Sequence, residues 1–347
     1  MHILDCAEII SKAWDAYGSP KQIKTVADVS AKVSTNYVFK IIFTDSSFLL
    51  TKLSFFGKYE IFCEDHKIIN SLANTLPEPY TQFLAQSLMK DNELFTFRYT
   101  EGIVDVWVVF YYAVEIKEKL PRRLEKHHIL SLGRELALFH KACSDVRNSI
   151  PPSSISIITD IEELLEILDS SGGKCEHARH ETIIREQCHI FLNNLDKLNY
   201  NSFEIVPVFV DWNIGNFSIT SDCRFFSRWD YDWFRFSSRV LDFYFFSRVT
   251  SDIGDRTTFS YLPHTLMEER FILFLKEYHK NYPLSEKEIL FIKEAYRFFI
   301  LNYVIKLGNY FFTPIFAKRL QREAYKSYFN QIEEKLNIDK LLKALNI

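Results

Sequence analysis

Residues 204–246 decide the fold of this chain, and they read EIVPVFVDWNIGNFSITSDCRFFSRWDYDWFRFSSRVLDFYFF. The stretch is mostly apolar, yet it carries three polar residues that stand out, Asp211, Asn216 and Asp230. A strand-like run, Val206–Val210, leads into a loop of the form D-x-x-x-x-N, and a second strand-like run ends at Trp229-Asp230. Carboxylates in apolar surroundings are costly unless another group pairs with them. The pattern therefore indicates that these polar groups share a binding or catalytic task.

Phosphoryl transfer uses this set of groups. One Asp accepts the proton of the attacking hydroxyl, an Asn binds Mg²⁺, and a further Asp holds the metal ions that bridge the nucleotide phosphates. The loop keeps Asp211 and Asn216 a few residues apart, and the predicted hairpin brings Asp230 back beside them. The alternative is an ordinary β-hairpin whose turns contain Asp and Asn because turns favour these residues.

Three short motifs in this stretch resemble the catalytic core of the aminoglycoside phosphotransferase/choline kinase superfamily, small-molecule kinases with the protein-kinase fold. Asp211–Asn216 resembles the family's D-L-H-P-G-N, and Trp229-Asp230-Tyr231 resembles its I-D-F triplet. Ser238–Phe243 resembles the segment that buries a structural Asp. The chain departs from the family at Phe209-Val210, where the family has His-Gly and uses the His to brace the catalytic loop.

The resemblance implies a kinase that uses Mg²⁺ and ATP or GTP and acts on a hydroxyl of a small molecule, of the aminoglycoside, choline, amino-alcohol or sugar kind. It implies that Asp211 orients and deprotonates the acceptor hydroxyl and that Asn216 and Asp230 hold Mg²⁺. Asp242 is expected to bond backbone N–H groups near the loop. Asp232 would share a strand face with Asp230 and help with the metal.

The amino-terminal part resembles the small lobe of these kinases. Residues 32–42 and 47–55 read as two strands of a hairpin. Lys52 stands where the family places the lysine that pairs with the α/β-phosphates, and Asn36 lies where the family has a phosphate-covering turn. The apolar run 104–114 predicts a buried strand that leads into the interlobe hinge.

At that hinge, the backbone around Tyr111 and Ala113 would contact the adenine. A helix predicted over Tyr59–Asn74 resembles the αC helix of the family, in which an acid pairs with the strand lysine. Spacing favours Asp65 for this role, and Glu64 and Glu60 remain open alternatives.

From Leu124 onward the apolar period becomes helical. The run LGRELALFHKA resembles a family helix that packs beneath the catalytic loop, so His140 is expected to be a buried supporting residue. Phe209 cannot form the hydrogen bonds of a His, and we expect it to pack on this helix at Leu136 and Phe139. The divergent region 144–205 and the carboxy-terminal helices are expected to form the acceptor pocket, with Trp212 and Asn213 near the acceptor.

The expected fold is therefore α+β and bilobal, similar to a protein kinase. Residues 1–114 would form a small, β-rich, nucleotide-binding lobe. Residues 115–347 would form a larger, mainly α-helical lobe with the catalytic loop, the metal site and the acceptor pocket.

Composition narrows the possible partners and location. The chain has 347 residues, of which 47% are hydrophobic and 32 are Phe, enough for a sizeable core. A net charge of −3 without a long basic run gives no reason to expect a nucleic acid. The apolar runs are too short to span a membrane. Acids near the amino terminus favour an amphipathic helix over a signal peptide, and six scattered cysteines without C-x-x-C fit reduced thiols, so a cytoplasmic protein is expected.

Competing hypotheses remain. Cys175, His177, His180 and His189 form the one metal-like group visible in the sequence, but they read as a solvated helix face without zinc spacing. A catalytically weak or inactive kinase-fold protein that binds nucleotide or a partner is the main alternative, because of Phe209-Val210 and the missing glycines. A protein kinase is disfavoured because the H-R-D, D-F-G and A-P-E motifs are absent.

Overall fold

The computed structural model of the protein describes residues 5–347 except 32, 56, 103 and 254–259. The strands are β1 (Ile23–Asp28), β2 (Tyr37–Phe43), β3 (Phe48–Ser54), β4 (Met89–Lys90), β5 (Glu93–Leu94), β6 (Thr96–Glu101), β7 (Val104–Tyr112), β8 (Val206–Val208), β9 (Phe217–Ile219), β10 (Phe225–Arg228) and β11 (Arg235–Ser237). The α-helices are α1 (Cys6–Tyr17), α2 (Tyr59–Thr75), α3 (Lys126–Val146), α4 (Ile157–Asp169), α5 (Ser171–His177), α6 (Glu181–Leu198), α7 (Phe243–Thr250), α8 (Glu269–Asn281), α9 (Glu286–Phe299), α10 (Gly308–Phe311), α11 (Pro314–Glu323), α12 (Phe329–Lys335) and α13 (Ile338–Leu345).

A five-stranded antiparallel sheet, in the order β1-β2-β3-β7-β6, dominates the amino-terminal part. The predicted hairpin is confirmed as β2–β3, in which Val38 pairs with Lys52. Alternate residues of β2, namely Phe39, Ile41 and Phe43, are buried because successive strand side chains point to opposite faces. They share a hydrophobic cluster with residues of α1 such as Trp14.

The predicted first strand, 32–42, is too long at its amino end. Residues 33–36 form a turn instead, and this turn docks on the carboxy-terminal part of the chain: Thr35 N–H donates to Phe311 O at 3.3 Å and Thr313 N–H donates to Val33 O at 3.0 Å. The edge strand β1 was not predicted, because its mostly exposed residues lack a clear apolar alternation. The first error arises from contacts that are distant in sequence, and the second from the weak apolar pattern of an edge strand.

Helix α2 links the sheet to the rest of the molecule. Its buried residues Ile68, Ile69 and Leu72 belong to the large carboxy-terminal hydrophobic cluster. On the other side, His66 Nε2 lies 2.5 Å from the hydroxyl of Tyr111 in β7. The predicted α+β, bilobal fold is confirmed, with a small sheet-containing lobe and a larger helical lobe. The lobe boundary at residue 114 stays a prediction.

The large lobe is built around α3, α8 and α9. Gly133 of α3 lies against the backbone of α8, where an added Cβ would stand 2.6 Å from Phe274 O, so only glycine permits this approach. A capping box opens α9, since Ser285 Oγ accepts from Glu288 N–H at 3.3 Å and Glu288 Oε2 accepts from Ser285 N–H at 2.8 Å. After α9 the chain continues as a π-helix over residues 300–306. Within the described ranges, no helix is long and apolar enough to cross a membrane.

Phe209 lies fully buried below the loop that follows β8. Its ring centroid is 5.9 Å from that of Phe139 in α3, which confirms the predicted packing on this helix. It is also 5.8 Å from the ring of Tyr231 and 5.3 Å from that of Phe234. Phe209 therefore joins α3 to the segment that follows Asp230 by aromatic contacts, which favour such offset and tilted geometries.

We expect Phe209→Ala to lower the free energy of unfolding by about 3–5 kcal/mol, because truncation of a buried Phe leaves a cavity. Chemical denaturation followed by circular dichroism measures the change. Phe48→Ala is the matched control, since Phe48 is 41% exposed and its truncation should change stability by only about 0.5 kcal/mol. Equal effects of the two substitutions would show that Phe209 does not support the loop.

Candidate active site

A buried carboxylate, Asp242, holds the loop that carries Asp211. One of its oxygens, Oδ1, accepts the backbone N–H groups of Phe209 at 3.0 Å and Val210 at 2.7 Å. The other, Oδ2, lies 2.9 Å from His140 Nε2. The predicted structural role of Asp242 is confirmed. Val210 has φ +58°, an uncommon conformation for a β-branched residue, and the two hydrogen bonds to Asp242 stabilise the chain next to it.

His140 supports Asp242 from within the core. Burial lowers the pKa of His140, against the opposing effect of its hydrogen bond to Asp242. Its Nδ1 lies 2.8 Å from the hydroxyl of Tyr278 on α8, so both ring nitrogens have partners. His140 is therefore the buried supporting residue that the sequence predicted.

Asp211 follows directly after this braced segment. Its Oδ1 accepts the N–H of Asn213 at 3.0 Å, which fixes the orientation of the carboxylate. Its backbone oxygen accepts from Arg228 Nη2 at 2.9 Å and from Asn216 Nδ2 at 3.4 Å. Asn216 thus turns its amide nitrogen toward the loop backbone, and its Oδ1 is the side-chain atom with the chemistry of a metal ligand.

Asn216 and Asp230 are brought together by the hairpin β9–β10. The backbone oxygen of Asn216 accepts from Trp229 N–H at 3.0 Å, so Asn216 lies beside the residue that precedes Asp230. Asp230 has φ +66° and its side chain is 43% exposed. The exposed carboxylate is accessible to an ion from solvent. The loop and hairpin therefore place Asp211, Asn216 and Asp230 on one local unit, as the sequence predicted.

Lys52 connects the sheet to this unit. Its Nζ lies 3.7 Å from Asp230 Oδ1 and forms a closer ion pair with Asp232. Asp232 also accepts from Asn36 Nδ2 at 2.8 Å. Burial lowers the pKa of Lys52, and Asp230 opposes this shift. The structure thus brings Lys52, Asn36, Asp230 and Asp232 into one polar cluster between the two lobes.

The predicted ion pair between Lys52 and an acid of α2 is wrong for this structure. Glu60 lies 3.7 Å from Arg98, and Glu64 accepts the N–H of Ser154. Asp65 lines a cavity, and its Oδ1 is buried with no hydrogen-bond partner among the described residues. The physical reason is that Asp230 and Asp232 already neutralise Lys52.

The predicted adenine contacts at the hinge need one correction. Tyr111 pairs with Leu50 of β3 on one side, and Ser87 lies opposite it on the other side. Tyr112 N–H donates to Gln86 O at 2.9 Å. Tyr111 therefore cannot offer its backbone to a nucleotide, whereas Ala113, just beyond the end of β7, remains a candidate.

A cavity of about 370 Å³ adjoins the Lys52 cluster, since Asn36 and Asp232 form part of its wall. We call it the α2 cavity; its lining comes mainly from α2, α4, residues 231–235 and residues 302–311. Lys306 Nζ lies 2.8 Å from Asp160 and 2.7 Å from Glu163, and Arg235 pairs with Asp160. Asp211 does not line this cavity.

Sequence reasoning missed two groups of charged residues. Arg228, fully buried, has its guanidinium carbon 4.6 Å from the ring centroid of Phe209 and 4.3 Å from that of Trp212. Arg235 and Lys306 form the network of the α2 cavity with Asp160. The sequence pattern that singled out the acids also applies to these arginines, because a charged side chain within an aromatic stretch needs a partner.

Two further expectations are corrected by the structure. Trp212 is fully buried and cannot contact an acceptor. His177 is buried with its Nδ1 3.4 Å from the hydroxyl of Tyr325, and the side chain of Cys175 lies outside the described residues. The one metal-like group among the described residues is instead His127, His128 and Cys223, whose ligand atoms lie within 4.8 Å of one another.

We expect Asp65→Asn to raise the thermal midpoint Tm at pH 8 and to change it little at pH 4. Burial raises the pKa of Asp65 from its usual 3.8 to about 7. The folded protein therefore keeps a proton that the unfolded chain releases. The free energy of unfolding falls as the pH rises from 3.8 to about 7. Asn cannot ionise and avoids this loss.

Thermal denaturation from pH 4 to pH 8 measures the difference, with Glu60→Gln as the matched control because Glu60 is 77% exposed. A Tm difference between wild type and Asp65→Asn that does not vary with pH would contradict the burial of Asp65.

Solved structures share this fold across almost the whole chain. Amicoumacin kinase hAmiN in complex with AMP-PNP, Ca²⁺ and Ami has a TM-score of 0.65 at 14% identity, covering 96% of this chain and 95% of that one. The microcompartment-associated aminopropanol kinase has a TM-score of 0.60 at 14% identity, with 96% and 99% covered. The gentamicin–APH(2″)-IIa complex has a TM-score of 0.56 at 12% identity, with 98% and 99% covered. No protein-family model and no curated protein matches the sequence. The chain therefore shares the fold of these solved structures over almost its whole length.

Proposed function

We propose that this protein is a Mg²⁺-dependent phosphotransferase that transfers a phosphoryl group from ATP or GTP to a hydroxyl of a small molecule. The observation that carries the proposal is the meeting of Lys52 with Asp230 and Asp232. It joins a cation on a rigid strand to carboxylates beside the Asp211–Asn216 loop. Phosphoryl transfer relies on such positioning and charge more than on covalent chemistry.

The donor set fits Mg²⁺. Carboxylate and amide oxygens are the hard ligands that this ion takes, and it usually needs only one or two carboxylates in addition to the phosphates. Asp230 and Asn216 would hold the ion, with Asp232 beside them. When bound, Mg²⁺ would neutralise charge on the nucleotide phosphates. AMP-PNP and Ca²⁺ in the amicoumacin kinase complex support a nucleotide and a divalent ion at this fold.

The chain's own residues would then act as follows. Lys52 would contact the phosphates, with Asn36 in the adjoining turn. Asp211, oriented through Asn213 N–H, would accept the proton of the acceptor hydroxyl. Ala113 would offer its backbone to the base. Residues 1–114 would form the nucleotide-binding lobe and residues 115–347 the catalytic lobe, in the cytoplasm, where nucleoside triphosphates are available.

The alternative is an inactive kinase-fold protein, suggested by Phe209-Val210 in place of His-Gly. The packing of Phe209 on Phe139 and Tyr231 weighs against it. The loop is braced by ring contacts and by Asp242, so the missing imidazole does not leave Asp211 without support.

We expect Asp211→Asn to retain nucleotide binding and to lose about 10²–10⁴-fold in transfer rate, the usual contribution of a general base. The change keeps the size of the side chain and removes the proton acceptor. Incubation with ATP or GTP and a panel of amines, sugars and amino-alcohols, with phosphorylated product identified by mass, measures the rate. Asp145→Asn, at an exposed position, is the control. Wild-type turnover by Asp211→Asn would refute the assignment.

We expect wild-type protein to bind nucleotide more tightly with Mg²⁺ than with EDTA, and Asp230→Ala to lose most of this difference. The reason is that the ion would be shared between Asp230 and the phosphates. Isothermal titration calorimetry with a non-hydrolysable nucleotide measures both affinities. A metal effect of equal size in wild type and Asp230→Ala would place the ion elsewhere.

A further inference from the structure

We propose that His127, His128 and Cys223 form a zinc site that links the tip of the β9–β10 hairpin to the start of α3. None of the three residues lines the α2 cavity or belongs to the Lys52 cluster. The site is therefore a second ligand-binding position, and it does not rest on the proposed function.

The three side chains come from two segments that are far apart in the chain. His127 and His128 are the second and third residues of α3, and Cys223 lies in the turn between β9 and β10. One imidazole nitrogen from each histidine and the sulfur of Cys223 all lie within 4.8 Å of one another. The two imidazole rings lie against each other, with centroids 3.9 Å apart. The fold thus brings together three side chains that are ligands of transition metals.

The turn that carries Cys223 holds its thiol in place. Thr220 N–H donates to Arg224 O, and Cys223 N–H donates to Thr220 O, each at 2.9 Å. Thr220 Oγ1 also accepts the N–H of Arg224 at 3.0 Å. Cys223 has φ +61°, which is uncommon for a residue other than glycine, and it is only 6% exposed. These hydrogen bonds therefore stabilise a conformation that keeps the sulfur beside the two imidazoles and away from solvent.

The donor set fits Zn²⁺ and not Mg²⁺. Zinc binds thiolate sulfur at about 2.3 Å and imidazole nitrogen at about 2.0 Å, whereas Mg²⁺ takes oxygen ligands. Tetrahedral coordination at these lengths places the ligand atoms about 3.3–3.8 Å apart, so separations of up to 4.8 Å need to close by about 1 Å or more. His127 is exposed, and rotation of its side chain supplies this movement. A water molecule would complete the tetrahedron.

Zinc binding at His128 has an identifiable cost. His128 Nδ1 accepts the N–H of Glu125 at 3.1 Å, at the amino end of α3. A metal at Nε2 requires the ring proton to lie on Nδ1, because a neutral imidazole has one donor and one acceptor nitrogen. This capping hydrogen bond is then lost. Glu125 is exposed, so water replaces the lost acceptor.

The charges around Cys223 favour a dication. Glu118 and Asp222 both carry negative charge close to the thiol. Asp222 pairs with Arg224 at 2.7 Å, whereas Glu118 forms no ion pair with any described residue. The field of Glu118 at Cys223 is therefore not neutralised by a cation of the described chain, and a bound Zn²⁺ would balance it.

The position of the site gives it a structural role. The hairpin already contacts α3 through the N–H of Phe225, which donates to Glu135 Oε2 at 3.1 Å. Asn216 directly precedes β9, and Asp230 follows β10, so both lie at the end of the hairpin opposite to Cys223. Zinc would therefore stabilise the element that carries these two residues without contacting either of them.

Metal counting tests the site. Chelator-treated protein is kept in excess Mg²⁺, which occupies oxygen-rich sites, and is titrated with Zn²⁺; the bound metal is measured by mass spectrometry after dialysis. We expect one Zn²⁺ per wild-type chain, and an affinity at least about tenfold weaker in Cys223→Ser and in His127→Ala, since even the outer partners of zinc ligands contribute about tenfold. The matched controls Cys6→Ser and His189→Ala, and also Asp230→Ala, should bind zinc as wild type does.

Cobalt and heat give two independent readouts. Co²⁺ in place of Zn²⁺ should produce a near-ultraviolet charge-transfer band from the thiolate, present in wild type and Cys6→Ser and missing in Cys223→Ser. Zn²⁺ should raise the Tm of wild type and leave that of His127→Ala unchanged, because only the folded wild-type chain binds the ion. His127 is exposed, so its substitution tests the site even where Cys223→Ser does not fold.

Three results would overturn the inference. The first is a wild-type protein that binds no zinc in the presence of Mg²⁺. The second is equal zinc affinity in wild type, Cys223→Ser and His127→Ala, or a cobalt complex without the charge-transfer band. The third is zinc binding that is lost in Asp230→Ala and kept in Cys223→Ser, which would place the ion among the carboxylates of the cleft. None of these measurements depends on phosphoryl transfer, so the zinc site and the proposed function stand or fall separately.

Discussion

One buried carboxylate, Asp242, is the constraint on which the rest of the site depends. Its two oxygens bond the backbone of Phe209 and Val210 on one side and His140 on the other. Carboxylates are rarely fully buried without partners, and each oxygen here has one. Because Val210 takes a positive φ directly before Asp211, loss of these bonds would change the direction in which the Asp211 carboxylate points. The geometry of the loop is therefore determined inside the core rather than at the surface of the cleft.

A second support consists of aromatic rings around a cation. Arg228 lies against the faces of Phe209 and Trp212 and donates to the backbone oxygen of Asp211. Its Nε and Nη1 have no hydrogen-bond partner among the described residues, and burial lowers the pKa of Arg228. The ring faces compensate part of that desolvation by cation–π attraction. Ring packing and one charged donor thus support the loop that carries Asp211.

The sequence alone was sufficient to predict those elements whose conformation depends on contacts between residues close in the chain. The β2–β3 hairpin, helix α2 and the unit of Asp211, Asn216 and Asp230 each depend on residues close in the chain or on short motifs, and all were predicted. The partner of Lys52 was not, because the choice between Asp65 and Asp232 depends on how α2 packs against the large lobe. The docking of turn 33–36 on residues 311–313 and the pairs of Asp160 are likewise formed between distant segments, where spacing carries no signal.

The pairing of Lys52 with Asp230 and Asp232 leaves the acids of α2 without a part in neutralising this lysine. In this structure α2 is held by the hydrogen bond of His66 to Tyr111 and by apolar residues such as Ile68, so it needs no ion pair to stay in place. Asp232, in the turn between β10 and β11, neutralises Lys52. Asp65 therefore forms no ion pair with any described residue and lines the α2 cavity instead. An unpaired carboxylate with a raised pKa weakens the folded state at neutral pH.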